Sequence, residues 1–343
     1  MNAVAPALIR FFSSKLFLRA RVNPTMKSAF AAVLTLLALA LPAHAVIISG
    51  GNGTGNTTGI GVTGWDYVGG IYKPNSQINA SGTYLGNYNG SYYILTAYHV
   101  ALSGLGSFIL GDYTYSFVTG TGVQIKDDAT DTTPADLYVI QITGSELALA
   151  ALDSLANLSL AASSPTTGTN VTMIGYGRDR STTASTAYLK SGQWYNTAPA
   201  QPYTSVDYYN WLSTNSKRWG TNQTSSLAST SNGYGTTALV STTFSSSGGS
   251  NEAQAAEGDS GGGVFYSSGS DTVLSGLMVY VAGYTGQTSN TAAYGNATYY
   301  ADISKYRENI LAAVPEPTSV TLLLIGGLGL FSSTRLRFRK PGQ

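Results

Sequence analysis

Between residue 46 and residue 313 the apolar residues arrive in short runs, each closed by Gly, Asn, Ser or Thr, and this pattern limits the chain to strands joined by turns. Trp65 to Val68, Gly82 to Leu85 and Tyr92 to Val100 are the first such runs. Ser107 to Leu110, Tyr113 to Phe117, Leu137 to Ile142, Val171 to Tyr176 and Thr272 to Ala282 follow. Asn89-Gly90, directly before the third run, is a hairpin turn signal, so Tyr93 to Thr96 reads as a strand whose end presents His99. Leu147 to Leu158 is the one helical candidate before the C-terminal segment, and its periodicity is ambiguous. From Thr197 to Gly249 the chain drifts to Ser, Thr, Asn, Gly and Tyr, which reads as a long loop region or insertion. Tyr300 to Ile310 reads as a strand end entering a helix, with Asp302 or Ser304 as its N-cap. A composition of 24 Tyr, 40 Gly and only 10% charged residues agrees with an all-β chain, either a barrel or a sandwich.

The two ends read as addresses and not as parts of this domain. Met26-Lys27, the apolar run from Ala29 to Leu41 and Ala43-His44-Ala45 form an export signal with a small-x-small cleavage site. The residues before Met26 are either a long basic leader or the product of an early start codon. Signal peptidase is thus an expected processing partner, with 1–45 as extension and signal. At the other end, Val314-Pro315-Glu316-Pro317 is followed by the apolar run Thr318 to Phe331 and by the basic Arg335 to Lys340. An ordinary anchor helix accounts for the apolar and basic parts, though the run is short for a full span, and leaves the Pro-Glu-Pro unexplained. The tail resembles the PEP-CTERM sorting signal of Gram-negative bacteria that make extracellular polysaccharide. That resemblance implies cleavage by an exosortase, a helix that holds the chain to the membrane only transiently, and a final location at the cell surface or in the matrix. The domains expected are 1–45, 46–313 and 314–343.

Charge excludes one class of partner. Nine of the 18 basic residues lie in the two ends, and the nine between them face sixteen acidic ones, a net of about −7 for the body. Nucleic acid is not an expected partner. The absence of cysteine removes disulfides, thiol catalysis and zinc-thiolate sites, and packing alone has to hold an exported domain together.

Chemistry is concentrated at Glu257-Gly258-Asp259-Ser260-Gly261-Gly262-Gly263, a glycine-packed turn with one hydroxyl at its centre. Glycines on both sides allow backbone N–H groups to approach that hydroxyl, which suits a nucleophile with an oxyanion hole, although a glycine-rich loop alone is equally common. A nucleophilic serine needs a base, and imidazole is well matched at neutral pH. Once the signal and its His44 are removed, His99 is the one imidazole left. The base in turn needs a buried carboxylate. Asp112, Asp127, Asp128, Asp131, Asp153, Asp179 and Asp207 are candidates, most of which read as solvated turn acids. Asp136 differs because it opens the apolar run to Ile142. Gly258-x-Ser260-x-Gly262 also fits the α/β-hydrolase elbow, but that fold places its histidine after the serine, and none follows. The acidic neighbours Glu257 and Asp259 predict a negative local field.

In the order His99, Asp136, Ser260, the body resembles a trypsin-like (chymotrypsin-fold) serine peptidase. Thr96-Ala97-Tyr98-His99 is similar to the family's Thr/Ser-Ala-Ala-His-Cys, Asp136 to Ile142 to its Asp-Ile-Ala-Leu-Ile-Lys-Leu, and Gly258 to Gly263 to its Gly-Asp-Ser-Gly-Gly-Pro. Ile174-Gly175-Tyr176-Gly177 echoes its Gly-Trp-Gly strand. The resemblance implies two six-stranded antiparallel β-barrels with a short C-terminal helix, flanked here by the signal and anchor helices. It implies catalysis by His99, Asp136 and Ser260 with no cofactor and no metal, an oxyanion hole at the N–H groups of Gly258 and Ser260, and a protein or peptide substrate. By the family pattern Gln254 stands where primary specificity is set, and Val279-Tyr280-Val281 is the substrate-binding segment. A neutral Gln254 and a side chain at Val281 imply small or medium apolar residues at the cleaved bond and do not support Lys or Arg. Asp259 is the family's partner for a freed α-amino group, which removal of the signal would create at Val46 or Ile47. A form starting there is expected to be active and longer forms inactive. The competing expectation is a catalytically silent surface or matrix binding protein on the same fold.

Overall fold

The computed structural model describes residues 46–74, 78–231 and 233–314. The expected export signal and the expected sorting tail beyond Val314 lie outside these residues. Among the described residues no helix is long and apolar enough to cross a membrane.

Turn chemistry folds the first half of the body. Asn89 and Gly90 both take positive φ, 57° and 77°, and reverse the chain between the strands Ile78–Tyr88 and Ser91–Thr96. Those two strands continue an antiparallel sheet through Val68–Tyr72, Ser107–Leu110, Tyr113–Phe117 and Pro134–Thr143. Pairing of Ser91–Thr96 with Pro134–Thr143 closes this sheet into a six-stranded barrel, and Val123–Lys126 adds to its side. Tyr84, Leu85, Ile94, Leu95, Phe108 and Leu137 fill the interior, each almost wholly removed from water.

A second sheet runs Gly263–Ser268, Asn170–Gly175, Arg218–Ser231, Thr236–Thr243, Ala297–Asp302 and Asp271–Ala282, and the first and last of these pair to close it. Val171, Met173, Val240, Val264, Met278 and Tyr300 make its core. The expectation of two six-stranded barrels is therefore met, and the sandwich is excluded. The C-terminal helix Arg307–Ala313 follows a short 3-10 turn whose N-cap, Asp302, accepts from the Ser304 N–H at 3.1 Å.

Two local expectations need correction. Residues 197–249 are not a loop region: they contain the strands Thr204–Asn215, Arg218–Ser231 and Thr236–Thr243. Thr and Tyr are good strand formers, and many residues of the outer parts of these strands are exposed, so no apolar alternation marks them. The second correction concerns the helix expected over Leu147 to Leu158, which spans Glu146–Asp153, started by Ser145 accepting from the Ala148 N–H. It stops early because the chain is drawn onto the first barrel, where the Leu158 N–H donates to Leu85 O at 2.8 Å.

A third, smaller sheet stands outside both barrels. Thr204–Asn215 is its central strand, with Arg178–Arg180, Ser185–Lys190 and Thr291–Ala293 paired to it and Gln193–Tyr195 beyond. Its sequence lies in the stretch between the Gly175-Tyr176-Gly177 turn and the next barrel strand, apart from Thr291–Ala293. Arg180, nearly fully buried, reaches back from it to the first described residues. Its guanidinium donates to Ile48 O at 2.7 Å, Gly50 O at 2.9 Å and Gly51 O at 3.0 Å, and it lies 3.8 Å over the Tyr209 ring. Ile47 and Ile48 meanwhile pair with Gln254 and Ala253. In a chain without cysteine, one arginine thus fastens the start of the domain by several charge-assisted hydrogen bonds.

Candidate active site

The site lies where the barrels meet, and Ser81 is the joint. Its N–H donates to Ser260 O at 2.9 Å, its hydroxyl donates to Gly258 O at 2.9 Å, and its carbonyl accepts from the Thr96 hydroxyl at 2.8 Å. Thr83 Oγ1 adds a bond to Gly261 O at 3.0 Å. The glycine turn of the second barrel is therefore tied to the first-barrel strand that ends at Thr96. Ser81 lies in none of the three matching motifs, and no local signal in the sequence marks it.

His99 sits three residues beyond Thr96, on the short helix Tyr98–Leu102 and not at the strand's end itself. Its Nδ1 is 2.7 Å from Asp136 Oδ2, and its backbone N–H donates to Asp136 Oδ1 at 2.9 Å. Asp136 is wholly buried at the start of its strand, and its own N–H donates to Thr237 Oγ1 of the second barrel at 2.9 Å. Two donors from one residue hold the carboxylate in a single orientation. A histidine fastened through Nδ1 presents Nε2 as the ring atom left to accept a proton. The Tyr234 ring packs beside the imidazole, with centroids 5.6 Å apart.

Ser260 is half-buried. Its hydroxyl makes no hydrogen bond with His99 or with any other described residue, a common condition of catalytic hydroxyls before substrate is seated. The turn around it is constrained by glycine. Gly258 and Gly261 take φ of 96° and 87°, and a Cβ on Gly261 would lie 2.0 Å from Ser81 O. Within the turn the N–H groups of Asp259, Gly261 and Gly262 are spent on Ala256 O, Met278 O and Asp259 O. Those of Gly258 and Ser260 donate to no described residue and stay open.

Asp259 lies beneath this turn, completely buried. Its carboxylate accepts from the N–H of Gly177 at 2.7 Å, from that of Ala256 at 2.8 Å and from the Val46 backbone N. Burial pushes its carboxyl up to about 7, opposed by these bonds and by Arg218. Here the Gly175-x-Gly177 pattern finds its reason: a Cβ at either glycine would lie within 2.4 Å of the Asp259 carboxylate. The negative local field expected at Ser260 is moderated in the fold. Asp259 is driven toward its neutral form, and Glu257 is paired with Arg178 at 2.6 Å.

A cavity of about 200 Å³ opens beside Ser260. Val279, Tyr280 and Val281 line it, together with Ala255, Ala256 and Trp211. Gln254 does not line it: the residue is fully buried on the strand paired with Ile47, and its amide has no hydrogen-bond partner among the described residues. Trp211, from the small sheet, was not signalled by any motif.

Comparison with known proteins gives one firm match. No curated protein matches the chain. Among solved structures, mouse neuropsin, a serine protease expressed in the limbic system of the brain, is 16% identical over 73% of this chain and 95% of its own, with a TM-score of 0.44. Human heparin binding protein is 13% identical over 72% of this chain and 90% of its own, with a TM-score of 0.42. Likenesses at that level carry no argument. The sequence profile described as Trypsin, however, matches residues 61–310, a span that takes in both barrels, His99, Asp136 and the Ser260 turn. On that match, and with two closed barrels meeting at that turn, the chain belongs to the trypsin family.

Proposed function

We propose that this protein is an exported serine endopeptidase. The observation that carries the reading is the His99 Nδ1 to Asp136 Oδ2 contact of 2.7 Å on a wholly buried carboxylate, tied through Ser81 to the turn that holds the one hydroxyl among glycines. In the proposed reaction Ser260 Oγ attacks the scissile carbonyl carbon while His99 Nε2 takes its proton. The tetrahedral oxyanion is held by the open N–H groups of Gly258 and Ser260, each donor worth on the order of 10²- to 10³-fold in rate. His99 then gives the proton to the leaving amine, and water repeats the sequence on the acyl-enzyme. Asp136 keeps the imidazole in one tautomer and stabilises its charged form. Export by the N-terminal signal and processing of the Pro-Glu-Pro tail by an exosortase belong to the same proposal and rest on sequence.

The Ser260 cavity supports a substrate class. Its side chains are chiefly apolar, and no unpaired charge faces a bound residue, since Glu257 is engaged by Arg178. Small or medium apolar residues before the scissile bond fit it. Profiling against a peptide library is expected to give cleavage after residues such as Val, Ala or Leu and little after Lys or Arg; a preference for basic residues would contradict the assignment of this cavity. The unbonded Ser260 hydroxyl is the one observation that favours a second reading, a silent binding protein on the trypsin fold. Absence of cleavage across the whole library by correctly processed protein would support it.

A further inference from the structure

Trp211 belongs to the walls of two cavities. It lines the one of about 200 Å³ beside Ser260 and also one of about 240 Å³, and Val281 is the only other residue that the two share. Apart from this pair, the walls differ in chemistry. Ala255, Ala256 and Val279 give the first an aliphatic lining, whereas Gln287, Thr288, Ser289, Asn290 and Asn296 give the second carboxamides and hydroxyls.

The tryptophan does not come from either barrel. It sits on the strand Thr204–Asn215, where it is opposite Arg180, and its backbone N–H donates to Asn290 O at 2.8 Å. The adjacent Asn210 pairs with Thr291. The backbone beneath the ring is thus held from both sides, while the ring itself is held only by packing. Its indole Nε1 is buried and has no acceptor among the described residues. An unpaired buried donor is unfavourable, and a smaller phenyl ring would pack there without one. Stability alone therefore does not account for a ring of this size there.

We infer that Trp211 is a specificity-determining residue, the partition that ends the Ser260 cavity and sets the size of side chain accepted at the cleaved bond. This rests on the peptidase reading. With the indole present, a medium aliphatic side chain fills the available space. With it removed, the aliphatic chamber opens onto the polar one, which suits a long side chain with a polar end, such as the phenol of tyrosine.

The test uses the processed protein and two peptides that differ only in the residue before the scissile bond, Leu or Tyr. Wild type is expected to favour Leu. Trp211→Ala is expected to raise the Tyr-to-Leu ratio of kcat/KM by on the order of 10- to 100-fold, the range over which pocket volume discriminates substrates. Trp211→Phe keeps a wall and should keep the Leu preference, which a role in folding alone would not predict. Trp211→Leu, which leaves a smaller void, is the second variant should alanine prevent folding, and its ratio should rise in the same direction. An unchanged ratio in a folded, hydrolytically competent variant overturns the inference while leaving the peptidase reading intact. If wild type cleaves neither peptide and takes up no fluorophosphonate, the reading itself falls, and this inference with it.

Discussion

Asp136→Asn is expected to lower kcat on the order of 10⁴-fold, with KM and the far-ultraviolet spectrum close to wild type. The carboxylate accepts from two donors of the same residue, the backbone N–H and the Nδ1 of His99. Asparagine has nearly the same shape but only one accepting oxygen. If that oxygen takes the backbone N–H, its NH₂ faces Nδ1, which then has to accept. The proton is forced to Nε2, and Nε2 can no longer remove one from Ser260. The loss thus comes from a tautomer, not from a cavity, and steady-state kinetics with a folded protein reads it directly. A fall of less than about tenfold would show that Asp136 is a buried structural acid and not the orienting group.

The second large effect concerns where the chain begins. Val46 is almost wholly buried, its backbone N donates to Asp259, and the following residues are fixed by pairing with Ala253 and Gln254 and by Arg180. If processing makes Val46 the first residue, that nitrogen becomes an ammonium against a buried carboxylate. The carboxyl is then held charged, and with it the turn that carries the Gly258 and Ser260 N–H groups. A form that retains residues before Val46 supplies only an amide. Its rate is expected to be lower on the order of 10²-fold, the worth of one misplaced oxyanion donor. The two forms should also differ in stability with pH. In the extended form burial raises the Asp259 carboxyl from 3.8 to about 7. A raised carboxyl contributes stability fully below 3.8 and loses it as pH climbs to about 7. The ammonium of the shorter form offsets that loss, so its denaturation midpoint should fall less across the window. Equal activity and parallel stability curves would remove Asp259 from any role in activation.

What was legible in the sequence was whatever a short stretch must satisfy by itself. The Asn89-Gly90 reversal, the strands Ser107–Leu110 and Tyr113–Phe117, and the buried run after Asp136 each carry their reason locally, in turn geometry or in apolar content. The order of His99, Asp136 and Ser260 was readable too, because chain order separates scaffolds that share a motif. What escaped reading depends on partners far along the chain. Arg180 looks like any polar residue until the carbonyls of residues 48 to 51 are folded against it. Trp211 lies in a stretch of Ser, Thr, Asn and Tyr whose strands are partly exposed, so nothing in its periodicity separates it from loop. Ser81 joins the barrels by three bonds, to Ser260, Gly258 and the Tyr176 N–H, 95 to 179 positions away, and a lone serine in a strand gives no sign of that. The acids flanking Ser260 misled for a related reason. Arg178 offsets the charge of Glu257 and burial raises the carboxyl of Asp259, and the neighbouring letters contain neither.

The central claim is that Ser260 is a nucleophile activated by His99. Incubation of the processed protein with a fluorophosphonate probe tests it most directly, because the reagent phosphonylates a serine only when a base has taken its proton. The account predicts covalent labelling of wild type at Ser260 and none of folded Ser260→Ala or His99→Ala. A correctly processed, folded wild type that takes up no label, or labelling that survives in Ser260→Ala, would contradict it.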